Sequence, residues 1–424
     1  MGVDGITDVA GVRVGHASRT GNGWLTGTTV VLAPEGGAVA SVDVRGGGPG
    51  TRETDALDPR NIVPHVEAVV LTGGSAYGLG AASGVMAWLE EQGRGFRVGP
   101  DPAQVVPVVP TAALFDLGRG GDFRARPDAA MGWEAAARAA ASAPGAPVVE
   151  GNVGAGTGAV CGAMKGGVGS ASAVLPSGIT VAALAVVNAA GSGVHPDTGA
   201  LYAELNGAGG ATGGPATPGR TRGGDGGRGV PPEVSEGSGV PGGAGASEGS
   251  GVPGDVSPGA PGAAHASGGS VAGASAAEVH VAALRRLEAA REETARRFAA
   301  SARPPLNTTL AVVATDAALG KAHAQKLAGT AHDGLARAVR PAHLLSDGDT
   351  VFALATGARP LLAPDDVAAD PAFAVHQEAG ALNEVFAAGA DVLTRAMAKA
   401  LRAAESVDGP GGVFPSYSDL YGTA

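Results

Sequence analysis

The distribution of glycine limits this chain more than any other feature. Of 424 residues, 73 are Gly, and residues 207–277 are almost wholly Gly, Pro, Ser and Ala with scattered charges. Within that stretch "EGSGVPG" occurs twice, at 236 and 248, the mark of growth by duplication. Such a segment cannot bury enough apolar area to offset its ordering entropy. It is expected to be a disordered insertion, which leaves the core to the residues on either side.

Those residues are apolar enough for a large core. The chain is 44% hydrophobic but only 4% aromatic, so the core must be built from Ala, Val and Leu. A formal net charge of −11 argues against non-specific nucleic-acid binding, which needs a basic surface. No basic amphipathic stretch suggests a membrane surface, and no apolar run has the length of a membrane span. The single cysteine, Cys161, excludes an intrachain disulfide and fits a cytoplasmic setting. The opening "MGVDGITDVAGVRVGHA" has no basic region followed by an apolar one, and Ile6 stands where a myristoylation signal wants Ser or Thr.

Short strands are expected at 26–34, 38–46 and 67–74, then a helix over 78–93 that starts after a Gly-rich turn and ends at a Gly. The β-branched run at 178–193 reads as a buried strand. Beyond the insertion the pattern predicts a helix over 277–303, ended by Arg303-Pro304-Pro305. A strand in "LNTTLAVVATDA", a helix over 320–339, a strand over 350–357 and a long helical region over 374–404 follow. Strands and helices mix without strict βαβ alternation, which points to α+β layers.

Several motifs invite a function and do not sustain it. Gly154-Ala155-Gly156-Thr157-Gly158 has no Gly-Lys-Ser/Thr after it and lacks the strand, helix and acidic residue of a dinucleotide fingerprint, so a tight turn is the better reading. Gly73-Gly74-Ser75-Ala76-Tyr77 puts Tyr77 where a nucleophile elbow needs Gly. The nine histidines show no metal spacing: His323 and His332 are too far apart to share a helical turn, and His343 stands alone. No metal or cofactor is expected. Asp347-Gly348-Asp349 is good turn chemistry, yet it also puts two carboxylates on one face at the mouth of a strand. Lys165, the sole lysine of a long Gly-rich apolar stretch, hints at a buried functional charge.

Taken in order, "GITDVAGVRVGHA", "GTTVVLAPEGGAVASVDVRGGGPGTRETDAL", "VVLTGGSAYGLGAASGVMAWLEEQG", "GNVGAGTGAVCGAMKGGVGSAS" and "NTTLAVVATDAALGKAHAQKLAGTAHDGLARAVRPAHLLSDGDTVFALATG" resemble the L-aminopeptidase/D-esterase family. This is a family of P1-type peptidases that includes β-peptidyl aminopeptidases and nylon-oligomer hydrolases. The resemblance covers nearly the whole chain outside 207–277. It implies an αββα four-layer sandwich, an inactive precursor that cuts itself once, and a new amino-terminal Ser or Thr as nucleophile. It also implies a homotetramer or larger homo-oligomer. The cut maps onto Asn307-Thr308, giving an upstream segment 1–307 and a downstream segment 308–424 that begins with Thr308. Asp347 and Asp349 match the acidic pair, Lys165 the lysine of a "KGG" motif, and Asn188 the asparagine of the strand before the insertion. The Asn-Thr junction with Asp-x-Asp is closer to the nylon-oligomer hydrolase pattern than to the β-aminopeptidase one. Phe115 in "AALFDLG" stands where some members carry a tyrosine.

A threonine hydroxyl is a weak nucleophile without a neighbouring base. An amino-terminal Thr carries one, an α-amine with an unperturbed pKa of about 7.7–8.0, near the working pH at which general-base catalysis is most effective. On this expectation Asn188 donates to the oxyanion, Asp347 and Asp349 hold the Thr308 amine and hydroxyl, and Lys165 balances their charge. The expected substrate is a short peptide or amino-acid amide. The alternatives are an endo-type hydrolase of amide oligomers, an acyltransferase similar in fold to ornithine acetyltransferases, and an unprocessed scaffold.

Overall fold

A computed structural model describes residues 2–205, 275–297, 306–362 and 373–422. The expected disorder of 207–274 and the expected stop at Arg303-Pro304-Pro305 lie outside the described residues.

Two five-stranded sheets carry the fold. Their strands are β1 (Arg13–Gly21), β2 (Trp24–Leu32), β3 (Val39–Val44), β4 (Gly50–Arg52), β5 (Ala68–Thr72), β6 (Thr111–Ala113), β7 (Val168–Val174), β8 (Thr180–Val186), β9 (Leu310–Ala317) and β10 (Thr350–Arg359). One sheet runs β1-β2-β5-β6-β4 and the other β7-β8-β9-β10-β3. The main helices are α1 (Ala81–Glu91), α2 (Ala129–Ala141), α3 (Ala276–Arg297), α4 (Lys321–Ala338) and α5 (Ala374–Ala403).

Alternation along the strands sorts side chains into three apolar layers. On β8, Ala182, Leu184 and Val186 join Val31, Val69, Leu71, Val312 and Phe352 between the sheets. Val181, Ala183 and Ala185 turn the other way, toward Leu327 and Leu335 of α4 and Val392 and Met397 of α5. The opposite outer layer packs Val30 and Val70 against Val85 and Leu89 of α1 and Met131 and Ala135 of α2. The result is the αββα sandwich, with both central sheets covered on both faces. Phe352 is fully buried between the sheets and contributes about 1.5–3 kcal/mol.

Glycine brings the outer helices down onto the sheets. A Cβ on Gly15 of β1 would lie 2.2 Å from the Ala135 carbonyl oxygen and 2.3 Å from the Ala139 nitrogen of α2; one on Gly169 of β7 would lie equally close to the Ala396 oxygen and Ala400 nitrogen of α5. The same close approach is thus made once in each half of the sandwich.

Three boundaries differ from expectation. The strand expected over 178–193 ends at Val186, the last residue with partners on both sides. Beyond it the chain must turn, and Gly191 there passes so close to Pro341 that a Cβ would lie 2.0 Å from its oxygen. The helix expected over 78–93 is a short turn of helix, Ser75–Gly78, followed by α1. The last two residues of the expected insertion, Ala276 and Ala277, already belong to α3. Among the described residues no helix is long and apolar enough to cross a membrane.

Candidate active site

Strand register brings the candidate residues together. β9 and β10 pair in parallel with Leu310 opposite Thr350. The ladder continues upstream: the Thr350 N–H donates to the Thr309 oxygen at 3.1 Å, the Gly348 N–H to the Asn307 oxygen at 3.1 Å, and Asn307 bridges Asp347. On the other side β8 pairs antiparallel, with Val186 opposite Leu310. Two residues further on, the Thr308 N–H donates to the Asn188 oxygen at 2.6 Å. Thr308 is therefore flanked by Asn188 on one strand and the Asp347-Gly348-Asp349 loop on the next.

Thr308 is buried, and its Oγ1 donates to the Asn307 carbonyl oxygen at 2.5 Å. That oxygen thus receives two donors, the Thr308 hydroxyl and the Gly348 N–H. A Cβ on Gly348 would lie 2.7 Å from Thr308 Oγ1, so this loop position must be glycine for the hydroxyl to keep its place.

Both carboxylates are buried and both are engaged, though not with Thr308. Asp349 Oδ1 accepts the Thr309 N–H at 2.8 Å, and Oδ2 accepts the N–H and Nδ1–H of His343 at 3.0 and 2.8 Å. Asp347 accepts the Leu344 N–H at 3.1 Å and the Ala190 N–H at 3.3 Å. Burial, and then the neighbouring Asp349 charge, push the Asp347 pKa above the usual carboxylate value.

Asn188 is fully buried with its amide oriented by two donors. Its Oδ1 accepts from the Val160 N–H at 3.0 Å and from Arg119 Nη1, so Nδ2 is the group left to donate onward, and it lies 3.5 Å from the Phe115 carbonyl oxygen. What Phe115 brings to Asn188 is backbone. Arg119 is a residue the sequence reading missed. Besides Asn188 it binds the Gly158 oxygen through Nη1 at 2.7 Å and Asn307 Oδ1 through Nη2 at 3.1 Å. Burial lowers its pKa to about 10, against the pull of Asp116. Burial pushes Asp116 itself up to about 6. No comparable signal marked Arg119 in the sequence, where Asp116, Asp122, Arg124 and Arg126 lie within about seven positions of it.

Lys165 is fully buried and is not bonded to the acidic pair. Its Nζ donates to the carbonyl oxygens of Gly156, Ala159 and Gly166 at 2.9, 2.9 and 2.6 Å, three acceptors for the three N–H groups of an ammonium. Burial, and then the Arg119 charge, hold its pKa well below the ordinary lysine value, opposed by Asp116. Gly154–Gly158 is therefore part of a loop wrapped around Lys165. That loop presents the Gly158 oxygen and the Val160 N–H to Arg119 and Asn188.

His343, expected to stand alone, is bonded to Asp349, and its ring meets that of His332 edge-on at 4.9 Å. His332 Nε2 donates to the Asp43 oxygen at 3.0 Å. Sequence spacing could not find this pair, because a turn of chain through Pro341 folds 343 back against α4. Cys161 is buried, its thiol pushed up to about 12 by burial. Among the described residues no three His, Cys, Asp or Glu side chains are grouped to hold a metal ion.

The model of peptidase family S58 matches residues 4–414. A protein of Mycobacterium tuberculosis described as an uncharacterized aminopeptidase is 42% identical over 426 residues, covering 99% of this chain and 98% of its own. A Mycobacterium leprae protein with the same description is 41% identical over 428 residues, covering 99% and 94%. Among solved structures, the L-aminopeptidase D-Ala-esterase/amidase of Ochrobactrum anthropi, described as a variant of the Ntn hydrolase fold, is similar with a TM-score of 0.59. It is 17% identical, and the match covers 99% of this chain and 95% of that one. A Burkholderia beta-aminopeptidase is similar with a TM-score of 0.57 at 22% identity, covering 99% and 92%. These likenesses identify the fold.

Proposed function

This chain belongs to peptidase family S58, and we propose that it is a self-cleaving aminopeptidase-type amidase with Thr308 as nucleophile. The observation that carries the reading is the junction geometry: Thr308 Oγ1 lies 2.5 Å from the Asn307 carbonyl oxygen, which also accepts the Gly348 N–H.

In the precursor, Thr308 Oγ1 turns onto the Asn307 carbonyl carbon. The C–N bond breaks, the hydroxyl proton passes to the Thr308 nitrogen, and an ester forms. Charge developing on the carbonyl oxygen is met by the Gly348 N–H, a preorganised donor of the kind typically worth roughly 3–4 kcal/mol. Water then hydrolyses the ester, freeing the Asn307 carboxylate and the Thr308 amine. In the cut enzyme that amine takes the Thr308 hydroxyl proton while Oγ1 attacks the carbonyl carbon of a small amide or short peptide, then gives the proton to the substrate nitrogen as the C–N bond breaks and the amine product leaves. The acyl-enzyme is released by water. The Gly348 N–H meets the substrate oxyanion as it meets that of Asn307, and Asn188 Nδ2, aimed by the donors on Oδ1, is offered as a second donor. Asp349 holds the strand start through Thr309. Asp347, with its raised pKa, stands beside the new terminus as a carboxylate able to take up a proton.

Intact-mass measurement of the purified full chain tests the reading. Fragments 1–307 and 308–424 are expected, with Thr308→Ala left as one inactive chain. A wild type that stays whole, or a Thr308→Ala chain that still cuts there, removes Thr308 from the role. Product analysis with and without an acceptor amine separates hydrolysis from acyl transfer.

A further inference from the structure

We propose that Arg119 makes this enzyme select amides whose acyl residue carries a side-chain carbonyl or carboxylate oxygen, as Asn and Asp do. The inference rests on Thr308 being the nucleophile. In the uncut chain Asn307 is the acyl residue of the bond that Thr308 Oγ1 faces, so it already occupies the position a substrate's acyl residue must take.

Asn307 is bonded there through all three of its parts. Its N–H donates to the Ser346 oxygen at 3.1 Å, its carbonyl oxygen accepts the Gly348 N–H at 3.1 Å, and its Oδ1 accepts Arg119 Nη2 at 3.1 Å. The residue is 5% exposed, whereas Leu306 before it is 48% exposed, so the enclosed position is that of a single residue. A substrate whose acyl carbon reaches the same Oγ1 brings its amine to the Ser346 oxygen and its side chain to Arg119.

Arg119 cannot swing away to follow Asn307 once the chain is cut. Nη1 is fixed by the Gly158 oxygen and Asn188 Oδ1, and the residue is 6% exposed. When Asn307 withdraws, Nη2 is left as a buried charged donor without the acceptor it had. An acyl side chain with an oxygen at that distance restores the bond. Leu, matching Asn in shape but offering no acceptor, leaves the donor unpaired, the kind of mismatch a hydrogen-bonding pocket rejects most strongly. A carboxylate adds charge complementarity to the same contact.

The test uses the self-cleaved wild-type full chain and the p-nitroanilides of Asn, Asp and Leu. The Asn and Asp compounds are expected to exceed the Leu compound at least about tenfold in kcat/KM, the value of one hydrogen bond to a charged group. Arg119→Gln, assayed in whatever fraction self-cleaves, is expected to bring the three within about twofold of one another. If that variant does not cut, the wild-type ratios decide alone. In the precursor, Asn307→Asp is expected to self-cleave faster than Asn307→Leu. Leu turned over as fast as Asn by a cut enzyme, or no turnover of any of the three by a cut enzyme, overturns the acyl-pocket inference and leaves the nucleophile in place. A chain that never cuts overturns the nucleophile reading and this inference with it.

Discussion

The Gly348 N–H donates to the Asn307 carbonyl oxygen at 3.1 Å, while the missing Gly348 side chain leaves the space into which Thr308 Oγ1 fits. One residue thus supplies both a donor and the clearance. Gly348→Ala would set a Cβ 2.7 Å from Oγ1 and 2.8 Å from the Gly48 oxygen. It is expected to slow self-cleavage by on the order of 10²-fold, the cost of a misplacement of about 1 Å at the reacting atoms. A time course of intact mass checks it; a variant that cuts at the wild-type rate removes Gly348 from the reaction.

Asp349 ties Thr309 to His343. Asp349→Ala leaves three donors without their carboxylate and is expected to lower unfolding free energy by at least about 2 kcal/mol. Self-cleavage should also slow. Asp349→Asn retains an oxygen for the Thr309 N–H and should cut faster than Asp349→Ala. Urea unfolding of each variant in a Thr308→Ala background measures stability without the cut, and the opposite rank order in cleavage would detach Asp349 from the strand start.

Lys165 holds a loop through three carbonyl oxygens. Lys165→Met keeps much of the volume and removes every donor. The Gly156 and Ala159 oxygens keep the backbone donors of Ala159 and Gly166, so the Gly166 oxygen is the acceptor left unpaired, and a loss of at least about 1 kcal/mol is expected. A melting temperature unchanged from wild type would mean that the loop does not depend on the ammonium.

Acid should weaken the fold through His332. Burial first, with the charges of His343 and Arg45, pushes its pKa down to about 4 from 6.5. Between those values the unfolded chain binds the proton and the folded chain does not, so this contribution is full above pH 6.5 and drains away as pH falls to about 4. The slope is about 1.4 kcal/mol per pH unit. His16, pushed down to about 4 chiefly by burial, acts in the same direction. Comparing wild type with His332→Gln cancels His16 and the raised carboxyls of Asp116 and Asp347, and the unfolding free energy of wild type minus that of the variant should fall steadily from pH 6.5 to 4. A constant difference would refute it.

The strands, the main helices and the α+β layering were legible because alternation and helical spacing survive in an Ala- and Val-rich core. Thr308, Asn188, Asp347 and Asp349 were named from motifs, and register then brings them side by side. Arg119 and His343 were not legible. Each acts through a fold-back that no local pattern records: Arg119 reaches Asn307 across 188 positions of chain, and His343 turns back onto Asp349 within one loop. Lys165 was singled out for a buried charge and is fully buried, but its partners are backbone oxygens, which carry no side-chain signature.

The order β7-β8-β9-β10-β3 has a consequence for the fate of the pieces. β9 and β10 follow Thr308 in the chain, whereas β8 and β3, on either side of them, precede it. Breaking the Asn307–Thr308 peptide therefore severs a thread without unravelling the cloth. The downstream piece stays clamped in mid-sheet between strands of the upstream piece, and separating the two would mean dismantling the ladder on both flanks at once.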